Sequence, residues 1–178
     1  MSGRGDGAVT EDVDLGHRLY RVPKRPIDVE VTMEGGRTFR GRVFVAGASG
    51  VHLGRERIID LLNSSEPFLP MVGDDGSWVV GKGRIVLVRV EDPLDAGFEP
   101  LPDVASSTTA EMRVELHGVP EEQAYIDASV PLVGPEGHNR LLDYLNDAPL
   151  VFGVMTEAGP RLVAKRYVLS ITNRTSSR

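Results

Sequence analysis

The sequence predicts a mostly β protein made of two tandem small five-stranded β-barrel-like domains, each with one short inserted helix. Two observations carry this prediction. The 178 residues include 20 glycines and 12 prolines, which is typical of many turns and short strands. The chain also repeats itself, because segment 54–63 recurs as segment 137–146 with the shared pattern G-x-x-R-[IL]-[IL]-D-x-L-N. A repeat of this kind indicates that one structural unit occurs twice.

The repeat continues beyond this pattern without a gap. Asp60 and Asp143 lie 83 positions apart (143 minus 60), and the same offset aligns segment 68–72 with segment 151–155. It also aligns Gly76 with Gly159, Val80 with Val163, and Lys82 with Lys165. We interpret the chain as a duplication in which both copies have the same order of elements.

The first copy opens with a predicted hairpin. Residues 27–33 alternate apolar and polar side chains with the period of a strand. Glu34, Gly35 and Gly36 supply a turn with the backbone freedom that a hairpin needs, so a second strand is predicted over 38–45. After it, apolar residues at 58, 59, 61 and 62 share one helical face and predict a helix over 55–62 that ends before Pro67.

Three further strands complete this copy, and the second copy repeats the order. The further strands are predicted over 68–72, 78–81 and 84–90. In the second copy the strands are predicted over 113–116, 124–130, 150–155, 161–164 and 167–171, with a helix over 138–145. The resulting domains are an N-terminal extension (1–26), a first repeat (27–91), a Pro/Ser/Thr-rich linker (92–110), a second repeat (111–172) and a C-terminal tail (173–178).

Five short strands with a tight turn before the fifth resemble the small barrels of the Sm-like and SH3-like type. The residues that carry the resemblance are 29–43, V-E-V-T-M-E-G-G-R-T-F-R-G-R-V, which are similar to the opening hairpin of Sm-like domains. The helix departs from that pattern, since it lies between strands two and three, so no Sm RNA-binding residues are carried over. Segment 52–63 is also similar to short uncharacterised bacterial domains. The resemblance implies RNA binding or regulation as an alternative function.

Charge and composition exclude several classes of function. The net charge of −6 argues against nucleic acid as the main partner. The chain has no cysteine, which excludes disulfides, thiolate metal sites and cysteine nucleophiles. No apolar run approaches the length of a membrane span, and the N-terminal residues lack the apolar core of a signal peptide. We therefore expect a cytoplasmic protein without a transmembrane segment.

No set of side chains indicates catalysis, a metal or a cofactor. Asp60 and Asp143 recur in both copies, and we interpret them as structural, either bonding the loop after the helix or pairing with the arginine three residues before. The four histidines, His17, His52, His117 and His138, are interpreted as surface or loop residues, because a zinc site needs three or four converging ligands. The expectation is a protein that is not an enzyme and has no cofactor.

Seven residues are predicted to contact partners. Five belong to a basic cluster ahead of the first strand: Arg18, Tyr20, Arg21, Lys24 and Arg25. This cluster would suit anionic lipid, RNA or an acidic partner surface, with a solvated extension as the equal alternative. Trp78 aligns with Arg161 in the other copy, which indicates an exposed contact anchor, or a strand residue half-buried between the repeats. Phe98 in the linker is predicted to lie along a barrel surface.

These observations favour a non-enzymatic accessory or structural subunit that docks its barrels and tails onto a larger protein assembly. Small barrels occur on the cytoplasmic faces of membrane complexes, including photosynthetic reaction centres, so fold-level analogy extends the expectation to peripheral contact with such a complex at the inner membrane. An Sm-like RNA-binding module is the alternative. An enzyme or ligand sensor with a site between the repeats is the third hypothesis, and no constellation of residues supports it.

Overall fold

A computed structural model describes residues 24–49, 54–98, 108–132 and 141–174. The first half has strands β1 (Lys24–Met33), β2 (Thr38–Ala46), β3 (Phe68–Gly73), β4 (Gly76–Gly81) and β5 (Ile85–Val90). The second half has β6 (Thr108–Leu116), β7 (Tyr125–Leu132), β8 (Val151–Thr156), β9 (Gly159–Ala164) and β10 (Val168–Asn173). The helices are α1 (Ile58–Asn63), α2 (Pro93–Ala96) and α3 (Leu141–Asp147). The predicted mostly β class is confirmed.

The ten strands form one open antiparallel sheet in the order β10-β6-β7-β8-β9-β5-β1-β2-β3-β4. Each half therefore has the same internal order, with its fifth strand beside its first. The structure does not show the two closed barrels that the sequence predicted. The physical reason is that β5 and β9 pair with each other, so β5 is not available to β4 in the first half and β9 is not available to β10 in the second.

Equivalent strands pair in equivalent registers. Val31 lies opposite Val88 in the first half, and Val114 lies opposite Ile171 in the second, both shifted by 83 positions. Between the second and third strands of each half, only one residue pair is in sheet register, Arg42 with Val72 and Ser129 with Met155. Here the second strand is shifted by 87 positions (129 minus 42) and the third by 83 (155 minus 72). The β6–β7 connection is thus four residues longer than the β1–β2 connection.

The differences from the predicted elements lie mainly in the linker and at strand ends. Strand β6 begins at Thr108, inside the segment 92–110 that was predicted to be linker. Helix α2 was not predicted at all. The Asp92 carboxylate accepts a hydrogen bond from the backbone N–H of Leu94, and Gly97 ends the helix with φ 114°. Capping by aspartate and a left-handed glycine makes a single turn stable in a segment that its prolines marked as extended.

A lysine in the same place in each half closes the helix before it. The Lys82 ammonium donates to the carbonyls of Leu61 (2.5 Å) and Ser64 (3.0 Å) at the end of α1. The Lys165 ammonium donates in the same way to the Ala148 carbonyl (3.0 Å) after α3. Helix C-termini expose unpaired carbonyls, which a cation satisfies. This explains why the lysine appears at the same offset in both copies.

The buried side chains of both halves form one hydrophobic cluster. The largest fully buried members are Phe152, Ile58, Met71, Ile85, Met112 and Leu162. Leu162 belongs to β9 and lies opposite Val88 of β5. The core is therefore continuous across the contact between the halves.

Candidate functional site

Two of the five residues of the predicted basic cluster lie in the described part of the chain. Lys24 is exposed at the start of β1, while Arg18, Tyr20 and Arg21 lie outside the described residues. The Arg25 guanidinium forms a two-bond ion pair with Asp95 of α2, at 2.9 and 2.5 Å. Arg25 is thus engaged within the chain and fastens α2 to β1. Its hydrogen bonds also lower the pKa of Asp95 below the ordinary value of 3.8.

This ion pair predicts a pH-dependent contribution to stability. Because the folded-state pKa of Asp95 is depressed, the contribution is present above pH 3.8 and is lost as the pH falls through the folded pKa. The Arg25 side chain is 37% exposed, so solvent screening limits the expected loss in Asp95→Asn to about 1 kcal/mol. Urea unfolding should show this difference from wild type at about pH 7 and a much smaller one at about pH 3.

The exposed turn residue Asp74 supplies a control for this prediction. Asp74→Asn should match wild type at both pH values, because Asp74 lies in a turn between β3 and β4 and the exchange there leaves the Arg25–Asp95 pair intact. An Asp95→Asn variant as stable as wild type at neutral pH would contradict the assignment of Arg25 to α2.

Trp78 lies on β4, the last strand of the sheet order, and is half-buried. Its ring packs edge-on against Phe39, with ring centroids 5.6 Å apart, and it covers Gly73, where a Cβ would clash with the indole. One of the two expectations was a strand residue half-buried between the repeats. Trp78 is half-buried, but it does not lie between the repeats, because β4 is at the far end of the sheet from the second half. The indole is held by its own half beside an outer strand.

Phe98 follows α2 and is also half-buried. Its ring contacts Gly153 of β8, where a Cβ would lie 2.8 Å from the phenyl Cζ. The phenyl ring therefore occupies space that any side chain at position 153 would fill. Strand β8 is an inner strand, so the structure does not bring Phe98 together with Trp78 in one patch.

Two open clefts lie at equivalent places in the halves. The first has a volume of about 440 Å³ and is lined by residues that include Gly41 and Val72. The second has a volume of about 700 Å³ and is lined by the equivalent Ala128 and Met155. Each cleft opens where the second and third strands diverge after a single paired residue. The duplication thus gives the protein a pair of clefts.

Charges of both signs line these clefts and pair with each other. Glu30 accepts a hydrogen bond from Arg40 at 2.5 Å in the first cleft. Asp127 in the second accepts two bonds from Arg113, which lower the pKa of Asp127. Paired carboxylates of this kind are suited to holding strands together and give the clefts a mixed-charge surface.

Two arginines meet between the clefts. Arg89 of β5 lines the first cleft and lies directly opposite Arg161 of β9, which lines the second. Burial, and then the charge of Arg89, lowers the pKa of Arg161. Like charges directly opposite each other oppose strand pairing, so this contact is held by the apolar residues beside it.

Two of the residues considered for chemistry, Asp60 and His117, have structural partners. The Asp60 carboxylate accepts hydrogen bonds from the backbone N–H (2.9 Å) and the Nε (3.1 Å) of Arg57, which confirms the predicted pairing. His117 lies exposed in the β6–β7 loop, as predicted, with its Nε2 2.9 Å from the Arg166 carbonyl oxygen. His17, His52, His138 and Arg140, the predicted partner of Asp143, lie outside the described residues. Within the described segments, no three His, Asp or Glu side chains are grouped to hold a metal ion.

The two ends of the sheet expose apolar side chains. Strands β4 and β10, here called the outer edges, each pair with one neighbour among the described strands. Val79 of β4 is 72% exposed, Leu169 of β10 is 64% exposed, and Phe68 of the adjoining β3 is 58% exposed. None of the three was predicted as a contact residue. Each aligns with an apolar residue of the other half at the 83-residue offset, but exposure depends on the place of the strand in the sheet, which the sequence pattern does not give.

The comparisons with known proteins give no relative. No family model, curated protein or solved structure matches the chain.

Proposed function

We propose that this protein is a non-enzymatic structural subunit that joins a larger protein assembly by strand pairing at its outer edges. One observation carries the proposal: β4 and β10 end the sheet and bear the exposed side chains of Val79 and Leu169. An edge strand presents a row of backbone N–H and C=O groups that template pairing with another strand. The partner is therefore a protein that itself offers an extended strand.

The side chains around the edges fit such a partner. Backbone hydrogen bonds supply affinity in strand addition, and apolar side chains on alternate positions supply specificity. Val79 and the nearby Phe68 provide apolar surface at one edge, and Leu169 does so at the other. Soluble proteins usually protect edge strands with charges, and neither Val79 nor Leu169 is charged.

The electrostatics favour protein over nucleic acid. The chain has a net charge of −6, and nucleic-acid binding rests on clustered cations that neutralise phosphates. Arg25 of the predicted basic cluster is paired with Asp95. In the first cleft Arg40 pairs with Glu30, and in the second cleft Arg174 pairs with Asp127. These pairings support a surface that recognises other proteins.

The basic residues ahead of β1, together with the exposed Lys24, support a setting at a membrane surface, because clustered cations are attracted to the anionic cytoplasmic leaflet. We propose peripheral attachment to a membrane complex on its cytoplasmic face. Among the described residues, no helix combines the length and apolar character needed to cross a membrane. The proposed attachment uses protein contacts at the outer edges and the N-terminal basic residues.

The test is purification of the tagged protein from its own cells after mild detergent extraction, with Val79→Lys and Leu169→Lys compared with Tyr125→Lys. Lysine on an edge strand blocks further pairing. Tyr125 is also exposed (54%) but belongs to the inner strand β7. We expect stoichiometric partner chains with wild type and Tyr125→Lys, and their loss with both edge variants. A wild-type protein that purifies as a single copy with no other chain bound, or partners retained by both edge variants, would overturn the proposal.

A further inference from the structure

We infer that the partner at the outer edges is a second copy of this chain, with β10 of one copy paired to β4 of the next. The inference rests on the proposed function and names its partner. It follows from the contact between the two halves, which already joins the equivalent strands. In that contact, called the junction here, β5 of the first half pairs with β9 of the second. Strands β10 and β4 are the equivalents of β5 and β9, and among the described strands they have no such partner.

The junction defines the geometry that a second copy would repeat. Leu87 lies opposite Val163, Val88 opposite Leu162, and Arg89 opposite Arg161. Shifted by 83 positions in opposite directions, these pairs become Ser170 with Val80, Ile171 with Val79, and Thr172 with Trp78. The same pleat and the same strand direction are available at both places, because the halves have equivalent registers.

Apolar residues that are buried at the junction have exposed equivalents at the outer edges. Leu162 is fully buried, whereas its equivalent Val79 is 72% exposed. Val86 is fully buried, whereas its equivalent Leu169 is 64% exposed. The same relation holds for β8 and β3, since Val151 is 8% exposed and Phe68 is 58% exposed. Apolar character is thus kept at three positions that the single chain leaves in water, and strand pairing between copies would cover all three.

A second contact at the junction is made by Asn63, and it also has an equivalent position in the second half. The Asn63 side chain donates to the Val151 carbonyl and accepts from the Val151 N–H, both at 2.9 Å, so it binds α1 of one half to β8 of the other. Its equivalent, Asn146, is exposed just before the end of α3. The equivalent of Val151 is Phe68. In the paired copies, Asn146 of one chain is therefore placed to bind the Phe68 backbone of the next.

The contact between copies is head to tail. Strands β4 and β10 lie at opposite ends of one ten-stranded sheet, so a chain does not pair them with each other. A contact between two different surfaces generates a ring when the rotation closes and a filament when it does not. Each added copy leaves the same two edges for the next.

Engineered disulfides test the pairing and its register, because the natural chain has no cysteine. In Val79→Cys/Ile171→Cys the two thiols of one chain are at opposite ends of the sheet, while those of adjacent copies are directly opposite. Facing strand residues have the Cα separation that a disulfide needs. We expect mild oxidation of the purified protein to give a ladder of covalent multimers, or a covalent ring, on non-reducing gels.

Matched variants test whether the covalent multimers arise from pairing of β4 with β10. A mixture of the single variants Val79→Cys and Ile171→Cys should give dimers joining residue 79 to residue 171 and nothing larger. Val79→Cys/Tyr125→Cys, which moves the second thiol to an inner strand, should not give the ladder. Light scattering on unmodified protein should give a mass that is a multiple of the 19.3 kDa chain, reduced to one chain by Leu169→Lys and unchanged by Tyr125→Lys.

The two proposals fail differently. A wild-type protein that stays monomeric at every concentration and yields no 79–171 cross-link overturns the inference about a second copy. If the edge variants still lose other chains on purification from cells, the proposed docking function stands with a different partner. If the edge variants lose no partner chains, the docking proposal and the second-copy inference both fail.

Discussion

Replacing Leu162 with aspartate is expected to unfold the protein, whereas the same replacement at the equivalent Val79 leaves it folded. Leu162 is fully buried at the junction, opposite Val88. An aspartate there loses the apolar contact and buries a carboxylate without a partner, which costs roughly 4 kcal/mol or more. Val79 occupies the same place in its own half but faces solvent, so Val79→Asp should cost about 1 kcal/mol or less.

Urea unfolding followed by far-ultraviolet circular dichroism measures both variants, at a protein concentration where single chains predominate. Leu162→Ala separates lost packing from the buried charge, and should fall between wild type and Leu162→Asp. Equal losses for Val79→Asp and Leu162→Asp would contradict the sheet order, since that result requires β4 to be buried as deeply as β9.

The duplication made much of this fold predictable from the sequence. Alternating apolar residues gave the β1–β2 hairpin, and Gly35 and Gly36 adopt the positive φ angles (87° and 82°) that its turn requires. The shared pattern around Asp60 and Asp143 located both inserted helices. Local signals were sufficient here because turns and short helices depend on residues close together in the chain.

The closure of the sheet was not predictable in the same way. Five strands in sequence are compatible with a closed barrel or with an open sheet, and the choice depends on which strand takes the free side of β5. That choice is made by contacts far apart in sequence, such as Val88 with Leu162. Helix α2 escaped prediction for a similar reason, because the Arg25–Asp95 pair that holds it spans 70 positions.

The candidate site was predicted least well. Four of the seven predicted contact residues are described, and they do not form one surface: Arg25 and Phe98 are engaged within the chain, and Trp78 packs edge-on against Phe39. The contact residues were predicted from residue type, whereas the informative property was the difference in side-chain burial between equivalent positions of the two halves. Val79 and Leu169 are ordinary strand residues by sequence, and only the positions of β4 and β10 in the sheet make them exposed.

Asn63→Ala is expected to cost about 2–4 kcal/mol, because it leaves both backbone groups of Val151 without their side-chain partner at a site that is 8% exposed. Thermal and urea unfolding should both show the loss. Asn146→Ala changes the equivalent residue in the second half, where the side chain is exposed, and should stay within about 0.5 kcal/mol of wild type in the single chain.

The same pair of variants links the stability of the chain to its assembly. If Asn146 binds the Phe68 backbone of a second copy, Asn146→Ala should weaken association in light scattering while leaving the unfolding of the single chain unchanged. An Asn146→Ala variant that unfolds as easily as Asn63→Ala would instead place Asn146 in a contact within its own chain. Asn63 and Asn146 share one position in the repeat. The difference in unfolding free energy between their alanine variants therefore measures the stabilisation that the Asn63 contact supplies at the junction and that the outer edges of a single chain lack.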